Sequence, residues 1–194
     1  MINRRVFVCG VGVFPLLCST ASSSKEMSES PRLVDISMSE EEKSKHEIYM
    51  RLAIEQAKKN KLYPFGAVIV NEEAGEVLAV GVNSGNINPI YHGEMMAIND
   101  YIEKHGKKDL KNMTLYTTGE PCSMCMSAIA WCGIPRVVWA SSIEKIRESG
   151  ISQIDIGAAE IAERAKGFYQ PKSLIAGVLA DESDVLFESR KINN

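Results

Sequence analysis

Two of the chain's five cysteines stand three positions apart in Pro121-Cys122-Ser123-Met124-Cys125. Proline fits just ahead of a helix, where its missing N–H does no harm. The residues that follow read as a short helix from Cys122 to Cys132, closed by Gly133. Positions i and i+3 of a helix share a face, so both sulfurs can converge on one point. Free N–H groups and the helix dipole at that end favour negative charge. This lowers the cost of forming the thiolates a metal requires. Two sulfurs do not complete a zinc site, because catalytic zinc takes about three protein ligands and structural zinc about four. No second CxxC pair exists: Cys9 and Cys18 lie near the N-terminus, and Cys132 ends the same helix. The missing ligand is a histidine or a carboxylate. His92 opens the sequence His92-Gly93-Glu94 at the start of another helix. A fold that uses these groups must bring the helix starts at residues 92 and 122 together. The competing reading of Cys122 and Cys125 is a disulfide, in a compartment that oxidises thiols.

The rest of the pattern supplies elements for such a fold. Ser39 with Glu42 forms a capping box for a helix running to Asn60, with Ile48, Leu52, Tyr49 and Ile54 as its apolar face. Residues 65–70 and 77–82 read as a hairpin. Then come a helix over 92–105, a strand over 113–118, the cysteine helix and a strand over 136–141. Short helices over 143–149 and 158–166, a strand over 174–179 and a helix from Asp181 complete the series. Alternating strands and helices after a hairpin predict a three-layer α/β domain, with helices on both faces of a mixed sheet.

A chain of 194 residues with 45% hydrophobic and 24% charged residues suits one globular domain. A formal charge of −3 argues against a broad basic face for nucleic acid. Residues 1–21 carry Arg4, Arg5, an apolar run and the small residues Ser19-Thr20-Ala21, the pattern of a signal peptide. The expectation is export to a periplasmic or secreted location through a plain or twin-arginine signal, or a cytoplasmic protein if the start is mis-assigned. Lipid attachment at Cys18 is disfavoured, since Pro15-Leu16-Leu17 lacks a small residue before it. Loss of Arg4 and Arg5 takes the charge from −3 to −5, because residues 1–21 hold no acid. Residues 22–36 read as a linker and 37–194 as the functional domain, with no membrane contact after signal removal.

His92-x-Glu94 followed by Pro121-Cys122-x-x-Cys125 resembles the signature of the zinc cytidine/deoxycytidylate deaminase superfamily. The likeness runs from Glu47 to Leu179 and includes residues 64–70, 81–83, 120–131 and 136–140. Its nearest tone is the purine-acting branch of bacterial guanine and nucleoside deaminases. The resemblance implies a cytidine-deaminase-like fold with a mixed five-stranded sheet. It implies that His92, Cys122 and Cys125 hold Zn2+ and that Glu94 moves protons while water, activated at the metal, displaces ammonia from a nucleobase or nucleoside such as guanine. It assigns Asn83, the N–H of Gly93, Phe65 and Trp131 to substrate binding, and suggests a homodimer. Asn83 also reads as a turn residue, and Phe65 and Trp131 also read as core. His46 and His105 read as exposed helix residues, and Cys132 as a small buried one. Where guanine deaminases carry an acid after the fourth strand, this chain has Lys145 beside Glu144, and its last aromatic is Phe187. The alternatives are a tRNA adenosine deaminase and a zinc-stabilised binding protein without catalysis, which would have no use for Glu94.

Overall fold

Ser39 starts the first helix as the capping box predicts: its hydroxyl accepts from the Glu42 amide at 3.2 Å, and Glu42 Oε2 accepts from the Ser39 amide at 3.0 Å. The computed structural model describes residues 38–106 and 110–190. The expected signal and linker, residues 1–36, lie outside the described residues. Helix α1 spans Glu40–Ala57, β1 Gly66–Asn71, β2 Glu76–Val82 and α2 Gly93–His105. Next come β3 at Met113–Gly119, α3 at Ser123–Cys132, β4 at Arg136–Ser141 and α4 at Ile143–Glu148. The series ends with α5 at Ala158–Arg164, β5 at Ser173–Ile175 and α6 at Ala180–Glu188.

The sheet is five-stranded in the order β2-β1-β3-β4-β5. Strand β1 is antiparallel to both β2 and β3, whereas β3, β4 and β5 run parallel. Alternation along each strand divides the core. Ala67, Ile69, Leu115, Val137 and Trp139 pack with Ile98 of α2, Ile129 of α3 and Ala162 of α5. Val68, Val70, Tyr116, Val138 and Ala140 face α1, with Leu186 of α6 packed beside them. The three-layer mixed α/β architecture is therefore as the sequence predicts.

Two local expectations are corrected. The apolar face of α1 is not centred on Ile48 and Leu52, which are 58% and 39% exposed. Of the four expected residues Tyr49 and Ile54 are buried, and Met50, Ala53 and Ala57 join them. The cause is a close approach: a Cβ on Gly66 would lie 2.3 Å from both Ala53 O and Ala57 N. Small residues face the sheet so that the helix backbone can rest on β1. The last strand is also shorter than residues 174–179, because Gly177 turns into the left-handed region at φ 82.

His46 is not a free surface histidine. Tyr116 donates to Glu72 Oε1 at 2.7 Å, so its oxygen accepts from His46 Nδ1 at 2.8 Å. Lys45 pairs with Glu72 Oε2 at 3.3 Å. Burial is the main influence on His46 and lowers its pKa; Glu72 and Glu42 oppose this, and Lys45 reinforces it. The folded protein thus keeps His46 neutral to a lower pH than the unfolded chain does. Stability from this site is complete above the unfolded value near 6.5 and is lost as pH falls toward the lower folded value. Urea unfolding at about pH 7.5 and 5.5 should show wild type losing more stability over that interval than His46→Gln. Equal losses would contradict the assignment.

Candidate metal centre and active site

Both helix starts arrive at one end of the sheet. His92 is the residue before α2, at φ −70 and ψ 162, and Cys122 is the residue before α3, at φ −61 and ψ 169. Their carbonyls accept the first helical bonds, from Met96 at 2.9 Å and Met126 at 2.8 Å. Neither side chain caps its own helix, so both are free to turn toward each other. Cys125 lies one turn on, inside α3, and is buried.

His92 Nδ1 stands 3.6 Å from Cys122 Sγ and 3.6 Å from Cys125 Sγ. One ligand atom from each of the three residues lies within 4.8 Å of the others. A tetrahedral ion with Zn–S of about 2.3 Å and Zn–N of about 2.0 Å gives an S···N edge of about 3.5 Å, close to the distances found. The donor set therefore fits zinc in spacing and in chemistry. All three described cysteines are free thiols, so the disulfide reading of Cys122 and Cys125 is not what the structure shows. The Cys122 thiol is lowered to about 4, first by the hydrogen bond from Cys125 and then by His92. The Cys125 thiol is raised, first by its bond to Cys122 and then by burial. His92 is raised, chiefly by its bond to Cys122.

Glu94 is 3% exposed, in the first turn of α2 two residues after the imidazole. Burial raises its carboxyl to about 7, and the nearby Cys122 charge adds to this. A carboxyl poised there can take up and release a proton near neutral pH.

The other expected site residues divide. Phe65 lies against the ligand cluster: its ring is stacked on His92 at 6.4 Å and 13°, and edge-on to Phe187 at 5.0 Å. Gly93 packs under the same residue, since a Cβ there would come 2.9 Å from Phe65 O. Asn83 is buried beside it, its amide donating to Phe65 O at 2.9 Å and its Oδ1 accepting from Gly85 N at 3.1 Å. The turn reading of Asn83 thus holds. Trp131 is placed elsewhere. It is 76% exposed and stacks on Phe168 at 4.5 Å. The surface groove it lines with Ser127, Ile161 and Arg164 contains none of the three ligands. Phe187, the last aromatic, is fully buried with Ile146 and Ile151 as a core residue. Lys145 pairs with Glu188 at 2.7 Å.

Sequence reasoning missed two groups that hold this end of the sheet. Thr118 Oγ1 accepts from Gly66 N at 3.1 Å and donates to Pro64 O at 3.0 Å, fixing the segment that carries Phe65. Glu120 bonds two helix starts with one carboxylate. An acidic residue beside the proline that precedes a ligand, Glu120-Pro121-Cys122, was the available signal.

The fold and donor set define a zinc-binding α/β domain with a buried carboxylate beside the metal position. The family model for the cytidine and deoxycytidylate deaminase zinc-binding region matches residues 43–141. A tRNA-specific adenosine deaminase of Rickettsia bellii is 31% identical over 72% of this chain and 94% of its own length. A probable cytosine deaminase of Schizosaccharomyces pombe is 35% identical over 50% of this chain, a match spanning 61% of that relative. In three dimensions the guanine deaminase of Nitrosomonas europaea superposes with a TM-score of 0.63 at 21% identity, covering 74% of this chain and 83% of that one. The chain belongs to the cytidine and deoxycytidylate deaminase zinc-binding family.

Proposed function

We propose that the protein hydrolyses the exocyclic amine of a free nucleobase or nucleoside, a purine such as guanine first among them. The observation that carries the reading is the buried Glu94 carboxyl beside His92, Cys122 and Cys125. A domain that used zinc only for stability would not need to bury an acid there, since an unpaired buried carboxylate costs folding energy.

Zinc held by these three residues would lower the pKa of its water toward about 7. Glu94 would accept a proton from the attacking water at its buried carboxylate, pass it to a ring nitrogen and deliver a second to the departing amine. Water adds one oxygen to the carbon, ammonia leaves, and a carbonyl remains. In this reading Phe65 packs on the base, while Gly93 N–H and Asn83 Nδ2 hold its polar edge. The reading also includes export through residues 1–21 and pairing of two copies. N-terminal sequencing of mature protein and light scattering test those two parts.

A second reading, deamination of adenosine in tRNA, is favoured by the Rickettsia relative, whose length the match nearly spans. Opposing it is the net charge of −3, since phosphate contacts require basic groups. Ammonia release from zinc-loaded protein decides between them, with free bases, nucleosides and a tRNA as substrates. Release from a free purine is expected. Release from tRNA alone would select the second reading, and release from none would leave a zinc-stabilised binding protein.

A further inference from the structure

We infer that Glu120 is the positioning residue of the metal centre, a clamp that sets the Cys122–Cys125 pair against His92. The inference rests on the zinc reading of those three residues. Glu120 and Pro121 are all that separate the end of β3 from Cys122. The Glu120 amide donates to Ser141 O at 2.7 Å, tying this link to the end of β4. Its carboxylate then serves two helices at once. Oε2 accepts from Ile143 N at 3.1 Å, and Oε1 accepts from Ala158 N at 2.8 Å.

These amides begin α4 and α5, and a helix supplies no internal acceptor for its first N–H groups. Ser142 spends its own hydroxyl on Lys145 N, which leaves Ile143 N to Glu120. Gly157, ahead of α5, has no side chain to cap with, and a Cβ there would stand 3.2 Å from Glu120 Oε1.

Both tethers lead back to the ligands. On the α4 side, Ile146 packs with Phe65, whose ring is stacked on His92. On the α5 side, Ala158 and Ala162 share a core with Ile129 and Ala130 of the sulfur-bearing helix α3. One carboxylate thus links the sulfur loop to the wall behind the imidazole and to the back of α3. It touches no ligand atom itself. Direct hydrogen-bond partners of metal ligands tune affinity by about 10–100-fold, and a clamp one link further out acts at the low end of that range.

Two N–H donors require two acceptors, and glutamine offers one, with its NH2 set against the other N–H. Glu120→Gln therefore removes one tether with little change of volume. Ala158→Pro removes the α5 donor without touching Glu120. Proline suits the first helical position, and Gly157 already has the extended conformation that precedes proline, φ −71 and ψ 155.

The test uses the full chain, with folding followed by circular dichroism. Zinc affinity is read by competition with a chromophoric chelator, and ligand geometry by the visible spectrum of the cobalt(II)-substituted protein. For Glu120→Gln, zinc binding about tenfold weaker and a shifted cobalt spectrum are expected in folded protein. Ala158→Pro should move both readouts the same way by less, and it decides the matter if Glu120→Gln does not fold. A merely structural role would lower the melting temperature and leave both metal readouts at wild type, which would overturn the inference. A wild-type chain that takes up no zinc would overturn the metal site itself, a result distinguishable from zinc-binding wild type and variant of equal affinity.

Discussion

Replacing Glu94 with glutamine is expected to lower kcat by about 1,000-fold, with zinc content unchanged. Glutamine fills nearly the same volume, so the packing at the start of α2 should survive. It cannot accept a proton from water or return one to the leaving amine. The three ligands are untouched, because Glu94 is not among the residues whose ligand atoms converge. Relief of a buried carboxyl should leave the variant at least as stable as wild type. Metal analysis, thermal melting and single-turnover ammonia release on one preparation check all three points. Activity within about tenfold of wild type would remove Glu94 from proton transfer. Loss of zinc would instead make it part of the metal site.

The largest effect on stability is expected at Gly81. A Cβ there would lie 2.0 Å from Gly93 O and 2.4 Å from Ala97 N, inside the backbone of α2. No rotamer can relieve a contact between a Cβ and main-chain atoms. Gly81→Ala must push the start of α2 off β2, and that start carries His92 and Glu94. Overpacking costs typically about 1–3 kcal/mol, and this case is expected at the upper end, near 3 kcal/mol, because backbone has to move. The displaced helix should also weaken zinc binding. Equilibrium urea unfolding with and without zinc reads both effects. A loss below about 0.5 kcal/mol would show that the interlayer contact is looser than described.

What was legible in the sequence follows from how locally each feature is determined. Cys122 and Cys125 were readable because helix geometry imposes a short spacing that survives any tertiary arrangement, whereas His92 and Glu94 joined them through the resemblance of His92-x-Glu94 to the family signature. Alternation of strands and helices likewise disclosed the layers, since period-two and helical patterns are properties of neighbours in the chain. Strand β4 came out at its observed bounds for that reason. The buried face of α1 came out only in part, through Tyr49 and Ile54, because it is chosen by the groove that Gly66 opens and not by the helix's own largest residues. His46 looked like a surface residue until β3 supplied the Tyr116 hydroxyl across 70 positions. Glu120 reads as a charged loop residue until Ile143 and Ala158 arrive from later segments. Trp131 sits in the matched stretch, yet its direction from α3 depends on α5, which brings Phe168 to its ring. Spacing along the chain names ligands; only the assembled layers show which groups hold them.

X-ray absorption at the zinc edge of the purified protein probes the centre most directly. The account predicts about one zinc per chain, with sulfur at about 2.3 Å and lighter donors at about 2.0 Å, two sulfurs to two N/O atoms. Mutation of His92 to alanine should remove one light donor and leave both sulfurs. A shell of four sulfurs, or protein that neither carries zinc nor takes it up, would contradict the site on which every later step depends.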